Sequence, residues 1–157
     1  MIRPALEADV PVIRQLIAAL AAFEKLDAEA TEADLREHLF GPRPYAEVLL
    51  AEEDGIVVGF ALFFHNYSTF VAKPGIYLDD LFVRPEYRKK RHGKALLVEL
   101  ARIAVERGCG RLEGVVLNWN DPAIRFYRSL GAEPMNEWTT YRLCGEALTA
   151  AARLRSD

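Results

Sequence analysis

The sequence of 157 residues predicts an α/β domain in which helices flank a mixed central sheet. Three observations predict it. Helical and strand periodicities alternate in the order βααβββαβαβ, followed by a candidate terminal helix. The turn Glu53-Asp54-Gly55 joins two of the strands as a hairpin, while the later strands are separated by helices, so one sheet holds both pairing directions. No repeat, low-complexity segment or linker interrupts the chain, which is read as a single domain over residues 1–157.

Residues 2–4 open with a short strand. In the helix that follows, Asp9 and Pro11 stand in the first turn, where acid and proline are favoured. Val10, Ile13, Leu16, Leu20 and Phe23 then recur at helical spacing. Residues 31–40 read as a second helix, with Thr31 and Asp34 as an imperfect capping box and Gly41-Pro42 ending it. Strands are predicted over 46–51, 56–64 and 76–83, with 65–75 as a longer connection. A basic run leads into a helix whose apolar face is Ala95, Leu96, Leu100, Ile103 and Ala104 and which Gly108 stops. Residues 111–117 form a fifth strand, 120–130 a short helix closed by Gly131, 138–143 a last strand and 145–154 a terminal helix.

Apolar residues make up 51% and charged residues 27%, a globular mix that needs no disulfide or metal at this length. Cys109 and Cys144 form no CxxC pair, which fits a reduced, cytoplasmic protein and argues against a disulfide framework or zinc cluster. His38, His65 and His92 are too scattered for a metal triad, so no metal is expected. The first residues lack an apolar h-region and no stretch approaches a membrane span, so neither export nor a membrane partner is expected. The net charge of −3 hides an asymmetry: residues 84–94 hold six Lys/Arg and one Glu, inside an otherwise acidic chain. A local positive site in an acidic body points to a small anionic ligand rather than to nucleic acid.

The strongest unit runs over 75–97, GIYLDDLFVRPEYRKKRHGKALL. A strand feeds a basic loop, which feeds a helix N-terminus, where unpaired N–H groups and the helix dipole favour an anion such as pyrophosphate. Neither GxxxxGK[ST] nor GxGxxG is present. Leu81-Phe82-Val83-Arg84-Pro85-Glu86-Tyr87-Arg88 followed by Lys89-Lys90-Arg91-His92-Gly93 resembles the GNAT acetyltransferases, whose cofactor loop reads [QR]xxGx[GA] after a strand of the type LxVxPxxR. Arg88 and Gly93 match; Arg91 stands where that family has its first glycine. Residues 118–132, NWNDPAIRFYRSLGA, are similar to the family's NxxAixfYxxxGF. Within the family the chain resembles the diamine (spermidine/spermine) and thialysine N-acetyltransferase branch, through Leu20-Ala21-Ala22-Phe23-Glu24, Gly59-Phe60-Ala61, residues 77–83 and Tyr141-Arg142-Leu143. That branch has an acidic pair after Tyr-Leu; here it is Asp79-Asp80, with Asp where Glu is usual at the first place.

The resemblance implies the GNAT fold (the acyl-CoA N-acyltransferase fold), acetyl-CoA as acetyl donor without a metal, a small cationic amine as acceptor, and a homodimer. It implies cofactor contacts from Leu81, Phe82, Val83, Arg88, Lys89, Lys90, Arg91, His92, Gly93 and Lys94, and from Asn120 and Arg128. For substrate binding it implies Glu24, Asp79 and Asp80. An alkyl ammonium has a pKa of about 10, so the attacking amine needs a proton acceptor. Asp79, acting through water, is the candidate, although strand alternation sends Asp79 and Asp80 to opposite faces unless a bulge intervenes, and one of them can be structural. Backbone N–H groups of Leu81 to Val83 are candidate donors to the oxyanion. Tyr127 is the candidate acid for the departing thiolate, against its alternative as a core aromatic. Three other readings stay open: a GNAT enzyme acting on a protein N-terminus or lysine, an acyl-CoA-binding sensor with little turnover, and a nucleic-acid-binding module using the basic run.

Overall fold

The structure, a computed structural model, describes residues 1–155. The chain falls into two compact units, Met1–Val115 and Val116–Asp157. The first contains β1 (Ile2–Pro4), a 3-10 turn (Glu7–Asp9), α1 (Val10–Glu24), α2 (Glu32–Phe40), β2 (Glu47–Glu53), β3 (Ile56–Ser68), β4 (Lys73–Val83), a second 3-10 turn (Pro85–Tyr87), α3 (His92–Glu106) and β5 (Leu112–Gly114). The second contains α4 (Asp121–Ser129) and α5 (Gly145–Ala152).

The sheet runs β1-β2-β3-β4-β5. All neighbours are antiparallel except β4 and β5, which are parallel, and α3 is the crossover that such a pair requires. The α/β class with a mixed sheet is therefore as the sequence predicts. Alternation along β2 explains the layers. Val48 and Leu50 join Phe60 and Phe82 in a core closed by Val10, Ile13, Leu16 and Leu20 of α1 and Leu35 and Leu39 of α2. Leu49 and Ala51 are buried from the opposite face of the sheet. Leu96, Leu100 and Ala104 form the buried stripe of α3, which packs on β2, β3 and β4. Each such leucine or phenylalanine contributes about 1.5–3 kcal/mol by leaving water.

Local signals set the edges of these elements. Thr31 accepts from the Asp34 N–H at 3.1 Å and its own N–H donates to Asp34 at 3.0 Å, so the capping box is complete although its acid is Asp. Asp54 and Gly55 both have positive φ, 51° and 78°, the type I′ geometry of a two-residue hairpin. No helix among the described residues is long and apolar enough to cross a membrane.

Three expectations need correction. The connection predicted over 65–75 is mostly strand: Asn66 lies opposite Gly75 and Tyr67 opposite Pro74, leaving a four-residue turn. A polar contact to β5 stands in this segment in place of hydrophobic alternation, Asn66 Nδ2 donating to Glu113 Oε1 at 2.9 Å. β5 is shorter than the predicted 111–117. The strand predicted over 138–143 is absent, with Trp138 72%, Tyr141 94% and Leu143 60% exposed. Its Trp-Thr-Thr-Tyr composition suits a pleated, half-buried surface, but β propensity depends on burial and context and does not by itself make a strand.

Candidate active site

β4 positions the acidic half of the site. Leu78 pairs with Phe63 and Asp80 with Leu62, so Asp79 has no counterpart on β3 and forms a β-bulge. The bulge reverses the alternation of the backbone. Before it, the Ile76 N–H points to the β5 side and donates to Arg111 O at 3.0 Å; beyond it, the Arg84 N–H donates to Val58 O on the β3 side at 2.8 Å. Asp80 and Phe82 share the direction of Arg84, so the N–H groups of Leu81 and Val83 face the β5 side. β5, however, pairs only with Ile76–Leu78 and approaches β4 closely at its end, where a Cβ on Gly114 would stand 2.5 Å from Leu78 O. Among the described residues no strand continues along β4 past Leu78 on that side. The sheet opens where Leu81 and Val83 present their donors.

The same bulge gathers three carboxyl groups. Asp79 is exposed and Asp80 half-buried, and neither carboxyl group has a side-chain hydrogen bond or ion pair to a described residue. Burial, reinforced by the charges of Asp79 and Glu24, pushes Asp80 up to about 7. Burial and the charge of Asp79 likewise raise Glu24, at the end of α1. Arg88 lies over the rings of Phe23, at 4.8 Å, and Phe82, at 5.5 Å, and its Nε donates to Val83 O at 3.0 Å. It thereby ties the end of α1 to the end of β4 beside these acids.

The basic loop has an uncommon backbone. Lys89 and Arg91 both have φ of 68°, in the left-handed region, and Arg91 is the N-cap of α3. A left-handed residue followed by the right-handed first turn of a helix forms a concave row of N–H groups suited to an anion. Gly93 stands in that turn; a Cβ there would meet only Val83, at 3.9 Å. Lys94 is exposed. Lys90 and His92 both meet Glu53. Lys90 Nζ lies 2.5 Å from Glu53 Oε1 and His92 Nε2 lies 2.5 Å from Glu53 Oε2. Sequence reasoning missed Glu53, because the contact joins residues 37 and 39 positions apart and leaves no local signal.

In the second unit Asn120 caps α4, its Oδ1 accepting from the Ala123 N–H at 3.3 Å. Tyr127 is half-buried, its ring edge-on to Phe126 at 5.4 Å, and burial pushes its phenol up to about 12. Arg128 is exposed at the end of the same helix.

The model of the acetyltransferase (GNAT) family matches residues 13–132. The chain belongs to this family. It is an acetyl-CoA-dependent N-acetyltransferase. The thialysine N-epsilon-acetyltransferase of Bos taurus is 37% identical over 97% of this chain and 96% of its own length. The L-ornithine N5-acetyltransferase of Arabidopsis thaliana is 36% identical over 98% of this chain and 88% of its own. Among solved structures, an integron cassette protein from the mobile metagenome of V. cholerae matches with a TM-score of 0.83 and 28% identity, covering 98% of each chain.

For this GNAT chain the left-handed φ explains what Arg91 costs where the family has glycine. A side chain in that region costs about 1–2 kcal/mol, part of which glycine returns as backbone entropy. Arg91→Gly is therefore expected to raise unfolding free energy by about 1 kcal/mol, measured by urea denaturation of the unliganded protein.

Proposed function

We propose that this GNAT enzyme acetylates a primary amine of a small cationic compound: a diamine, a polyamine or a lysine-like amino acid. The observation that carries the proposal is the cluster of Glu24, Asp79 and Asp80 at the bulge, next to the open donors of β4. Relatives named for thialysine and L-ornithine, amino acids that carry a second amine on the side chain, support it. So does a spermidine/spermine N(1)-acetyltransferase-like protein of Homo sapiens, 35% identical over 94% of this chain and 23% of its own length. The family match crosses both compact units, which supports one GNAT domain over 1–157. A cytoplasmic homodimer without nucleic-acid or membrane partners is the setting supported by the resemblance, the free Cys109 and Cys144 and the acidic body.

Acetyl-CoA, when bound, supplies the thioester carbonyl and the thiolate that leaves. The N–H row at Arg91 to Gly93, with Lys89 and Lys94 as accessory cations, is the proposed phosphate cradle; Arg128 stays a candidate cofactor cation on the resemblance alone, and Asn120 shapes the start of α4. The N–H groups of Leu81 and Val83 are positioned as donors to an oxygen that gains negative charge. Sequence reasoning puts the proton acceptor at Asp79. The structural environment favours a division of labour instead: Asp80, half-buried and near neutral in pKa, accepts the amine's proton, while Asp79 and Glu24 hold the cationic substrate and raise Asp80 by their charge. For Tyr127 we retain the role at the departing sulfur. A phenol near 12 stays protonated at neutral pH. Full transfer to a thiolate whose acid sits near about 8.5 runs uphill, so the hydroxyl donates a hydrogen bond.

The base assignment is testable by pH. kcat/KM should rise with pH through about 7, following Asp80 in the free enzyme. Asp80→Asn should lower kcat by roughly 10²–10⁴-fold and abolish that limb, whereas Asp79→Asn should keep the limb but move it to lower pH. A lost limb in Asp79→Asn with a normal Asp80→Asn returns the base to Asp79. Stability must follow the same linkage. The folded pKa lies above the ordinary 3.8, so the folded state holds more protons between about pH 4 and 7 and loses stability as pH rises through that window. Asp80→Asn should thus raise Tm at pH 8, with the gain fading towards pH 4.

Substrate class is decided by an amine panel with acetyl-CoA, following free thiol. Diamines should exceed monoamines of matched length in kcat/KM, because a second ammonium gains a carboxylate anchor. Glu24→Gln should raise KM for the diamine more than for the monoamine. Equal kcat/KM across the panel, or reaction with peptide amines alone, refutes this substrate class while leaving the acetyltransferase activity intact.

Removing only the hydroxyl, Tyr127→Phe should cut kcat by roughly 10²-fold with unchanged far-UV circular dichroism. Unaltered turnover, with chemistry shown to be rate-limiting, makes Tyr127 a packing residue.

A further inference from the structure

The loop between β4 and α3 holds two strained residues and two side chains, Lys90 and His92, that share one acid. Lys89 and Arg91 alternate with Lys90 and His92, so each residue tied to Glu53 lies beside a left-handed one. Glu53 is itself fixed. It ends β2, pairs with Ile56 across the type I′ turn, and places each carboxylate oxygen 2.5 Å from a different partner. His92 is only 13% exposed at its side chain, so its end of the arrangement is held by packing as well. Strained backbone of this kind persists only where surrounding contacts over-determine it.

We propose that Glu53 is a positioning residue for the acyl-CoA phosphate loop: by clamping Lys90 and His92 it holds Lys89 and Arg91 in their left-handed backbone, so that loop N–H groups, not the Lys90 and His92 side chains, meet the phosphates. The inference rests on reading this loop as the phosphate cradle. The clamp replaces the tolerance that a glycine at Arg91 would provide. It also occupies two side chains, Lys90 and His92, that sequence reasoning assigns to the cofactor.

The sign of the effect separates this from simple electrostatics. Removing an acid beside a bound polyphosphate should tighten binding if charge alone mattered; if the clamp orders the loop, removal should weaken it.

Calorimetric titration of the whole protein with CoA is the test. Glu53→Ala should weaken CoA binding roughly 10-fold, and Glu53→Gln, which keeps one acceptor, by less. The change should fall on KM for acetyl-CoA and not on KM for the amine. In the unliganded protein, amide hydrogen exchange of residues 89–93 should speed up. A double mutant with Lys90→Met should lose little more than Glu53→Ala alone, because both break one arrangement. Unchanged or tighter CoA binding by both Glu53 variants overturns the proposal, and so do fully additive losses, which make Lys90 a direct phosphate ligand. If the unsubstituted protein binds no CoA, the cradle reading falls and takes this inference with it.

Discussion

The unpaired place of Asp79 on β4 is the constraint on which the acidic half of the site depends. With regular alternation, Asp79 and Asp80 would point to opposite faces of the sheet, and one of them would leave the neighbourhood of Glu24. The N–H groups of Leu81 and Val83 would also turn to β3 and be consumed in the ladder. One extra residue corrects both at once. It keeps two carboxyl groups within electrostatic reach of a third, and it turns two donors to the edge that β5 no longer covers. The early end of β5 is therefore part of the same device. Had β5 followed β4 past Leu78, its carbonyls would have taken those donors.

Beyond the end of β4, the basic loop shows a different solution to a related problem. An anion cradle needs backbone N–H groups converging from residues that L-amino acids adopt with difficulty. Glycine meets that need through conformational freedom; this chain places Lys89 and Arg91 there and surrounds them with tertiary contacts. A glycine loop is cheap to form but loose when empty. A strained loop held by Glu53 costs stability yet loses less entropy when a ligand arrives. Arg88, packed on Phe23 and Phe82, belongs to the same scaffold: its side chain joins α1 to β4 and anchors the start of the loop.

How much of this was legible in the sequence follows from how local each signal is. Periodicity placed the helices and the first four strands, because a buried stripe repeats at 3.6 or 2 residues whatever lies opposite. Thr31 with Asp34, and Asp54 with Gly55, marked their boundaries because caps and turns are settled within four residues. The identity of β4 and its loop came through resemblance, as did Tyr127. Long-range pairing was not legible. Polar residues 65–68 hid a strand whose stability comes from its partner, and 138–143 carry a strand-like composition without forming a strand. The bulge was foreseen only as a condition, since nothing in Leu78-Asp79-Asp80 tells which residue β3 will skip. Glu53 was invisible: one acid among 23, made special only by the hairpin that carries it to the loop.

The acidic cluster also sets a problem that its own arrangement resolves. Carboxylates that attract a cationic amine stabilise its ammonium form, which cannot attack. Against an ammonium near 10, a base near 7 would leave proton removal uphill by about 4 kcal/mol before chemistry starts. Three isolated carboxylates near 4 would make that gap about twice as large. Crowding them removes part of it, because burial and the neighbouring charges of Asp79 and Glu24 raise Asp80 towards neutrality. The remainder is met as the N–C bond forms, since an amine nitrogen that has attacked a carbonyl is far more acidic than a free ammonium. A substrate with two ammonium groups suits this division best. In the proposed division one would stay paired with Asp79 and Glu24, and the other would give its proton to Asp80.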